Sequence, residues 1–149
     1  MTLNRREALA VVAGAAAFAV SGAKVAFATA DETRKAILAF TGGAEPAQGK
    51  ITLDAPEIAE NGNTVPISVS VESPMTADDY VEAVAILAEG NPSPAVATFH
   101  FTAMSGEAMA STRMRLAKTQ NVIAVARMKD GSVFMDTKEV KVTIGGCGG

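Results

Sequence analysis

The chain has 149 residues, of which 13 are basic and 16 are acidic, and its net charge is −3. This length suits one domain. An acidic chain without basic runs argues against nucleic acid and against anionic membranes as partners. Its single cysteine cannot form an internal disulfide.

The first thirty residues have the pattern of an export signal. Arg5-Arg6 precedes an apolar run over Ala8–Val20, and Ala28–Ala30 is a small-residue cleavage site before Asp31. The arginine pair resembles a twin-arginine signal, although an ordinary secretory signal with two basic residues is the alternative. We therefore expect a mature chain of residues 31–149 in the bacterial periplasm.

The mature chain is more acidic and poor in aromatic residues. Residues 31–149 keep 10 basic and 15 acidic residues, which gives a net charge of −5. Because aromatic side chains supply much of the buried area of small cores, we expect a thin core that a partner completes. The aromatic residues of the mature part are Phe40, Phe99, Phe101, Phe134 and Tyr80.

Hydrophobic periodicity predicts one helix followed by short strands. Apolar residues at helical spacing mark Glu32–Phe40, with Gly42-Gly43 as the stop. After this point the period changes to two, and Lys129-Asp130-Gly131 is typical of a hairpin turn. We expect seven or eight strands in an immunoglobulin-like β-sandwich, at Lys50–Leu53, Val65–Val71, Tyr80–Ala88, Val96–Thr102, Ala108–Leu116, Val122–Met128, Ser132–Met135 and Val140–Ile144.

The polar residues of these strands and turns do not form a recognisable catalytic or metal site. His100 is the only histidine and is expected at the surface or an interface, since a zinc site needs about four ligands. The carboxylates Asp78, Asp79, Glu57 and Glu60 do not follow a calcium-loop spacing. We predict no catalytic residue, no metal and no cofactor.

Two further groups have structural explanations. Arg113 and Arg115 lie on the outer face of one strand, where a cross-strand charge pair is the expected role and anion binding the alternative. Four methionines on or near the predicted strands are expected to fill the core or an interface. They are Met104, Met109, Met114 and Met128.

The C-terminus carries the one thiol of the chain, in the sequence Gly145-Gly146-Cys147-Gly148-Gly149. Glycine loses more conformational freedom on ordering than any other residue, so a flexible arm is predicted, with Cys147 able to reach about 10 Å beyond Ile144. With no basic residue within five positions, the pKa of the thiol is expected near the ordinary ~8.5. An unpaired cysteine in an exported protein indicates a reactive or intermolecularly paired thiol.

This tail, together with several internal segments, resembles the SoxY family of sulfur-carrier subunits from the bacterial thiosulfate-oxidising (Sox) system. The resemblance covers the mature chain, and the C-terminal Val142–Gly149 is its most specific part. The internal segments are Ile58–Gly62, Val71–Met75, Ala88–Pro92, Arg113–Ala117 and Asp130-Gly131.

The resemblance implies an immunoglobulin-like fold and a carrier without catalytic activity of its own. Cys147 would be the covalent attachment site for sulfur, and Gly145, Gly146, Gly148 and Gly149 would form the arm. The partners implied are a SoxZ-like subunit in a heterodimer and, transiently, a SoxAX-like c-type cytochrome, a SoxB-like hydrolase and a sulfur dehydrogenase. Twin-arginine export moves folded proteins, so a folded partner without its own signal would explain that route.

Two other functions are compatible with parts of the sequence. A thiocarboxylate sulfur carrier also ends in Gly-Gly, but its activation requires ATP, which the periplasm does not offer. A structural sandwich domain that dimerises through a disulfide at Cys147 is the main alternative. The sequence therefore predicts a signal peptide at residues 1–30, a sandwich domain at 31–144 and a carrier arm at 145–149.

Overall fold

The structure, a computed structural model, describes residues 28–146. Its elements are one α-helix, nine strands and one 3₁₀ turn. In chain order they are α1 (Ala30–Thr41), β1 (Ala47–Gln48), β2 (Ile51–Asp54), β3 (Ile58–Asn61), β4 (Val65–Val71), β5 (Val81–Ala88), β6 (Ala95–His100), the turn Ala103–Ser105, β7 (Ala108–Met114), β8 (Gln120–Met128) and β9 (Val133–Ile144).

The strands form two sheets that pack into a sandwich. The larger sheet has the order β1-β9-β8-β5-β6, with β3 also paired to β9, and the smaller has the order β2-β4-β7. All pairs are antiparallel except β1 with β9 and β3 with β9, which are parallel. The mostly β, immunoglobulin-like fold predicted from strand number and spacing is confirmed.

The core between the sheets follows the predicted alternation. Val65, Ile67, Val69 and Val71 are buried, whereas the residues between them are exposed or half-buried. Every phenylalanine and tyrosine in residues 28–146 is only half-buried. Aliphatic side chains therefore supply the core, which includes Leu53, Val84, Ile86, Met114, Leu116, Val122, Ala124 and Val140.

Helix α1 covers the outer face of the larger sheet. Ile37 of the helix packs with Leu87, Ile123 and Val125, which point away from the main core. This second layer explains why β5 and β8 are apolar on both faces. The helix begins at a capping box, in which Thr29 and Glu32 each accept a bond from the other's backbone N–H. It ends at Gly42 in the left-handed conformation, and no helix in the described part is long and apolar enough to span a membrane.

The last strand differs from the prediction. The sequence suggested two strands, Ser132–Met135 and Val140–Ile144, but β9 is continuous over Val133–Ile144. The polar residues between the two predicted strands continue the ladder, with Asp136 opposite Ala124 and Lys138 opposite Val122 of β8. The carboxylate of Asp136 also accepts a bond from the Leu53 N–H, at 2.9 Å. These polar residues therefore belong to the sheet and pair with β8, although in sequence they resemble a loop.

Candidate functional site at the root of the C-terminal tail

The strand that leads into the tail is held on both sides. Its last residues run parallel to β3, with Ala59 opposite Val142 and Asn61 opposite Ile144. On the other side the Val142 N–H donates to the Thr119 hydroxyl oxygen, at 2.9 Å. The chain therefore reaches the tail from a fixed direction.

Backbone hydrogen bonds join the end of β9 and the tail to the β3–β4 turn and to the β7–β8 connection. We call the residues that meet here the glycine clasp; they are Gly62, Leu116, Ile144, Gly145 and Gly146. The Gly62 N–H donates to the Ile144 oxygen at 2.7 Å, and the Leu116 N–H donates to the Gly62 oxygen at 2.8 Å. The Gly146 N–H donates to the Leu116 oxygen at 2.9 Å, and Gly146 is buried. The first two glycines of the tail thus lie against the domain.

Glycine is required in the clasp because backbones approach each other too closely for a side chain. A Cβ atom on Gly62 would lie 2.3 Å from the Leu116 oxygen and 2.7 Å from the Gly146 nitrogen. On Gly145 it would lie 2.2 Å from the Ala117 oxygen, and on Gly146 it would lie 2.7 Å from the Gly62 oxygen. These glycines therefore permit close packing.

Two buried amide side chains hold the segment that supplies the Leu116 oxygen. Asn91 is 3% exposed; its Nδ2 donates to the Arg115 oxygen at 2.8 Å, and its Oδ1 accepts from the Ala117 N–H at 3.0 Å. These two bonds fix the residues on either side of Leu116. Leu116 is itself fully buried, so its carbonyl oxygen has a defined position.

Gln120 completes this network. Its side-chain nitrogen donates to the Asn91 Oδ1 at 2.9 Å and to the Lys118 oxygen at 3.0 Å, while its oxygen accepts from the Gly90 N–H at 2.7 Å. Buried amides that satisfy so many hydrogen-bonding groups rigidify their surroundings. The connection between β7 and β8 is consequently a firm support for the tail.

The predicted arm residues divide into two groups. Gly145 and Gly146 belong to the clasp, whereas Cys147, Gly148 and Gly149 lie outside the described residues. The sequence predicted an arm that is free from Gly145 onward. The structure shows contacts with the domain up to Gly146, because this backbone finds acceptors and close neighbours on two loops.

The other polar candidates lie apart from one another. His100 is exposed on β6, and the carboxylate-bearing residues Asp78, Asp79, Glu57 and Glu60 are exposed. Within residues 28–146, no three side chains of His, Cys, Asp or Glu are grouped as metal ligands. A shallow depression of about 690 Å³ on the smaller sheet is lined by small and charged side chains, among them Ser68, Ser111 and Arg113.

One structural expectation needs correction, and a second is confirmed only in part. Arg113 lies opposite Pro66 of β4, so the expected cross-strand charge pair is absent at that register position. Among the methionines, Met114 and Met128 are buried as expected, but Met104 is 95% exposed and Met109 is 58% exposed. Met104 lies in the turn between β6 and β7 and Met109 lies on β7, so neither fills the core, and an interface role for these two stays a prediction.

Sequence reasoning missed the residues that support the tail. Asn91 stands in a Pro- and Ser-rich turn and Gly62 in an Asn-Gly-Asn turn, and the predicted strands include neither residue. The one available signal was their presence in the segments that carry the family resemblance, Ala88–Pro92 and Ile58–Gly62. Hydrogen bonds between residues that are distant in sequence bring these two segments together at the root of the tail.

Comparisons with known proteins agree on one family. The model of the family described as "Sulfur oxidation protein SoxY" matches residues 37–147. The solved structure of the sulfur carrier protein SoxY from Chlorobium limicola f thiosulfatophilum is 37% identical, with a TM-score of 0.63, and the match covers 78% of this chain and all of that one. A comparison with curated proteins found no match.

More distant structures share the fold alone. Superoxide reductase (neelaredoxin) from Ignicoccus hospitalis matches with a TM-score of 0.57 and 21% identity, covering 64% of this chain and 82% of that one. A putative superoxide reductase from Thermotoga maritima matches with a TM-score of 0.54 and 18% identity, covering 69% and 89%. At these identities the likeness is architectural. The family model and the 37% identical structure together show that this chain belongs to the SoxY family.

Proposed function

We propose that this protein is the periplasmic sulfur carrier of a Sox thiosulfate-oxidising system and that it holds sulfur intermediates covalently on Cys147. The observation that carries the proposal is the family match, which spans residues 37–147 and ends on the only cysteine of the chain. The structure supports it by fixing the backbone up to Gly146, the residue before that cysteine, through the bond from the Gly146 N–H to the Leu116 oxygen.

The chemistry suits a thiol that partner enzymes activate. Joining the Cys147 thiol to thiosulfate forms a sulfur–sulfur bond and releases two electrons and one proton. A c-type cytochrome accepts the electrons. Hydrolysis of the terminal sulfonate with water then releases sulfate and leaves a persulfide on the cysteine. A thiol with a pKa near the ordinary ~8.5 is only slightly ionised at neutral pH. The partner enzymes therefore have to activate it.

The proposed carrier performs no catalysis itself. Its single histidine, His100, is exposed on the outer face of β6 opposite Ala83, far along the chain from the tail. We propose that the catalytic groups come from a SoxAX-like cytochrome, a SoxB-like hydrolase and a sulfur dehydrogenase in turn. Members of the SoxY family work with SoxZ, and we propose a stable heterodimer with a SoxZ-like subunit.

The domain boundaries follow from the same proposal. Residues 1–30 form a twin-arginine signal, residues 31–144 the sandwich and residues 145–149 the arm. Cleavage before Asp31 would remove the Thr29 cap of α1 and the bond from the Ala28 N–H to the Asn91 oxygen, at 2.8 Å.

Replacing Arg5 and Arg6 with lysine should stop export, and continued accumulation of the variant in the periplasm would favour the ordinary secretory route.

Reconstituted turnover tests the carrier function. The protein with its SoxZ-like partner and the partner enzymes should reduce cytochrome in the presence of thiosulfate, and Cys147→Ser should abolish the reaction, because serine supplies no thiolate. Ser111→Ala, a change on an exposed strand residue, is the control and should keep full turnover. Turnover that persists in Cys147→Ser would contradict the carrier function and leave a structural domain as the alternative.

A further inference from the structure

Three of the internal segments that carry the family resemblance meet at one place in the fold. Ile58–Gly62 supplies Gly62, Ala88–Pro92 supplies Asn91, and Arg113–Ala117 supplies Leu116 with its two neighbours. These segments are remote in sequence, yet each contacts either the tail or the support of the tail. Their common role is therefore at the root of the tail.

We propose that the glycine clasp is a positioning device that sets where the carrier arm leaves the domain and how long its free part is. With the clasp closed, Gly145 and Gly146 are held against the domain. With the bond from Gly146 to the Leu116 oxygen broken, Gly145 and Gly146 join the free arm. This inference rests on the proposed carrier function and adds a control of reach to it.

The gain in reach follows from backbone dimensions. One residue spans at most about 3.3–3.6 Å, so release of two residues lengthens the arm by about 7 Å. A closed clasp keeps the attached sulfur group close to the domain. An open clasp delivers it to a deeper active site. The arm thus has two lengths instead of one.

The clasp is suited to opening because, within residues 28–146, one hydrogen bond from Gly146 closes it. The Gly146 N–H donates to the Leu116 oxygen at 2.9 Å. A typical hydrogen bond shifts such an equilibrium by roughly fivefold on balance, so a partner can open the clasp with modest binding energy. Asn91 acts as a positioning residue, because its bonds to Arg115 and Ala117 hold the acceptor in place.

Two variants open the clasp from opposite sides. Gly145→Ala introduces a methyl group 2.2 Å from the Ala117 oxygen, and Gly62→Ala introduces one 2.3 Å from the Leu116 oxygen. Gly145→Ala lies after the last strand and so leaves the sandwich pairing intact even if Gly62→Ala fails to fold. Ser111→Ala changes an exposed residue of β7 outside the clasp and is the control.

The experiment uses the full mature chain and needs no partner enzyme. NMR measures hydrogen exchange at the Gly146 amide, and mass spectrometry measures alkylation of Cys147 by iodoacetamide and by a polyethylene-glycol maleimide. We expect Gly145→Ala to accelerate Gly146 exchange roughly fivefold or more, the net effect of one hydrogen bond. We also expect it to raise the rate with the bulky reagent relative to the small one.

The control Ser111→Ala should change neither measurement. Unprotected exchange at Gly146 in the wild-type chain, or a Gly145→Ala variant that matches the wild type in both readouts, would overturn the clasp. Neither readout depends on sulfur transfer. A protected Gly146 in a protein that never carries sulfur on Cys147 would therefore refute the carrier function alone.

Discussion

The two ends of the sandwich are held together in different ways. At the tail end, the β3–β4 turn, the loop after β5 and the β7–β8 connection meet around Gly62, Asn91 and Leu116 through partners 24 to 82 positions apart in the chain. At the opposite end, contacts between near neighbours close the loop before β5 and the β8–β9 hairpin, and Lys129 joins the two by donating to the Tyr80 and Ala77 oxygens.

The hairpin illustrates the local type of contact. Asp130 accepts bonds from the backbone N–H and the hydroxyl of Ser132, at 2.8 and 2.5 Å, and Gly131 takes a positive φ of 85°. The bonds from Ser132 hold the pKa of Asp130 below its ordinary value. Similarly, the Asp79 N–H donates to the Thr76 hydroxyl oxygen at 3.2 Å. Local contacts close the turns here, whereas long-range contacts at the tail end fix a position for function.

The largest loss of stability is expected from replacing Asn91, whose side-chain amide lies at the centre of the tail end. Asn91→Leu leaves the Arg115 oxygen, the Ala117 N–H and the Gln120 amide without their partner in a buried site. Each lost buried bond costs on the order of 1 kcal/mol or more, so we expect a loss of about 3 kcal/mol in the free energy of unfolding. Urea unfolding measures it, and a loss below about 1 kcal/mol would mean that the network is not a support.

A smaller effect is expected from the coupling between the two amides. If Asn91 and Gln120 act as one network, Asn91→Leu and Gln120→Met should not be additive, with an interaction energy of about 1 kcal/mol. A double-mutant cycle of urea unfolding provides this value. Additive losses would show that each amide acts alone, which would weaken the contrast between the two ends.

The smallest effect is expected at the hairpin. Because its pKa is lowered in the folded chain, Asp130 adds stability above its unfolded pKa, and this stability disappears as the pH falls through the folded value. Asp130→Asn should therefore lower the melting temperature slightly at neutral pH and have no effect near pH 2, below the ordinary carboxyl range. A difference that persists at acid pH would assign the effect to something other than the charge.

The same contrast decides how much could be predicted from sequence. Alternation placed β4, β5, β7 and β8 nearly correctly, and Lys129-Asp130-Gly131 indicated its hairpin, since both signals are local. The short strands β1 and β3 were missed, because they pair in parallel with distant β9 and have too few residues to show a period. The clasp was missed for the same reason: the tail glycines were interpreted by their freedom, whereas their contacts with Gly62 and Ala117 depend on the fold.

The central claim is that sulfur is carried on Cys147. The most direct test is peptide mass spectrometry of the C-terminal peptide, from protein purified without reductant from cells grown on thiosulfate. The carrier function predicts that a fraction of this peptide bears a persulfide or a thiosulfonate on Cys147, that reductant removes it, and that Cys147→Ser protein lacks it. A tail found only as free thiol or as a disulfide between two copies of this chain would contradict the claim.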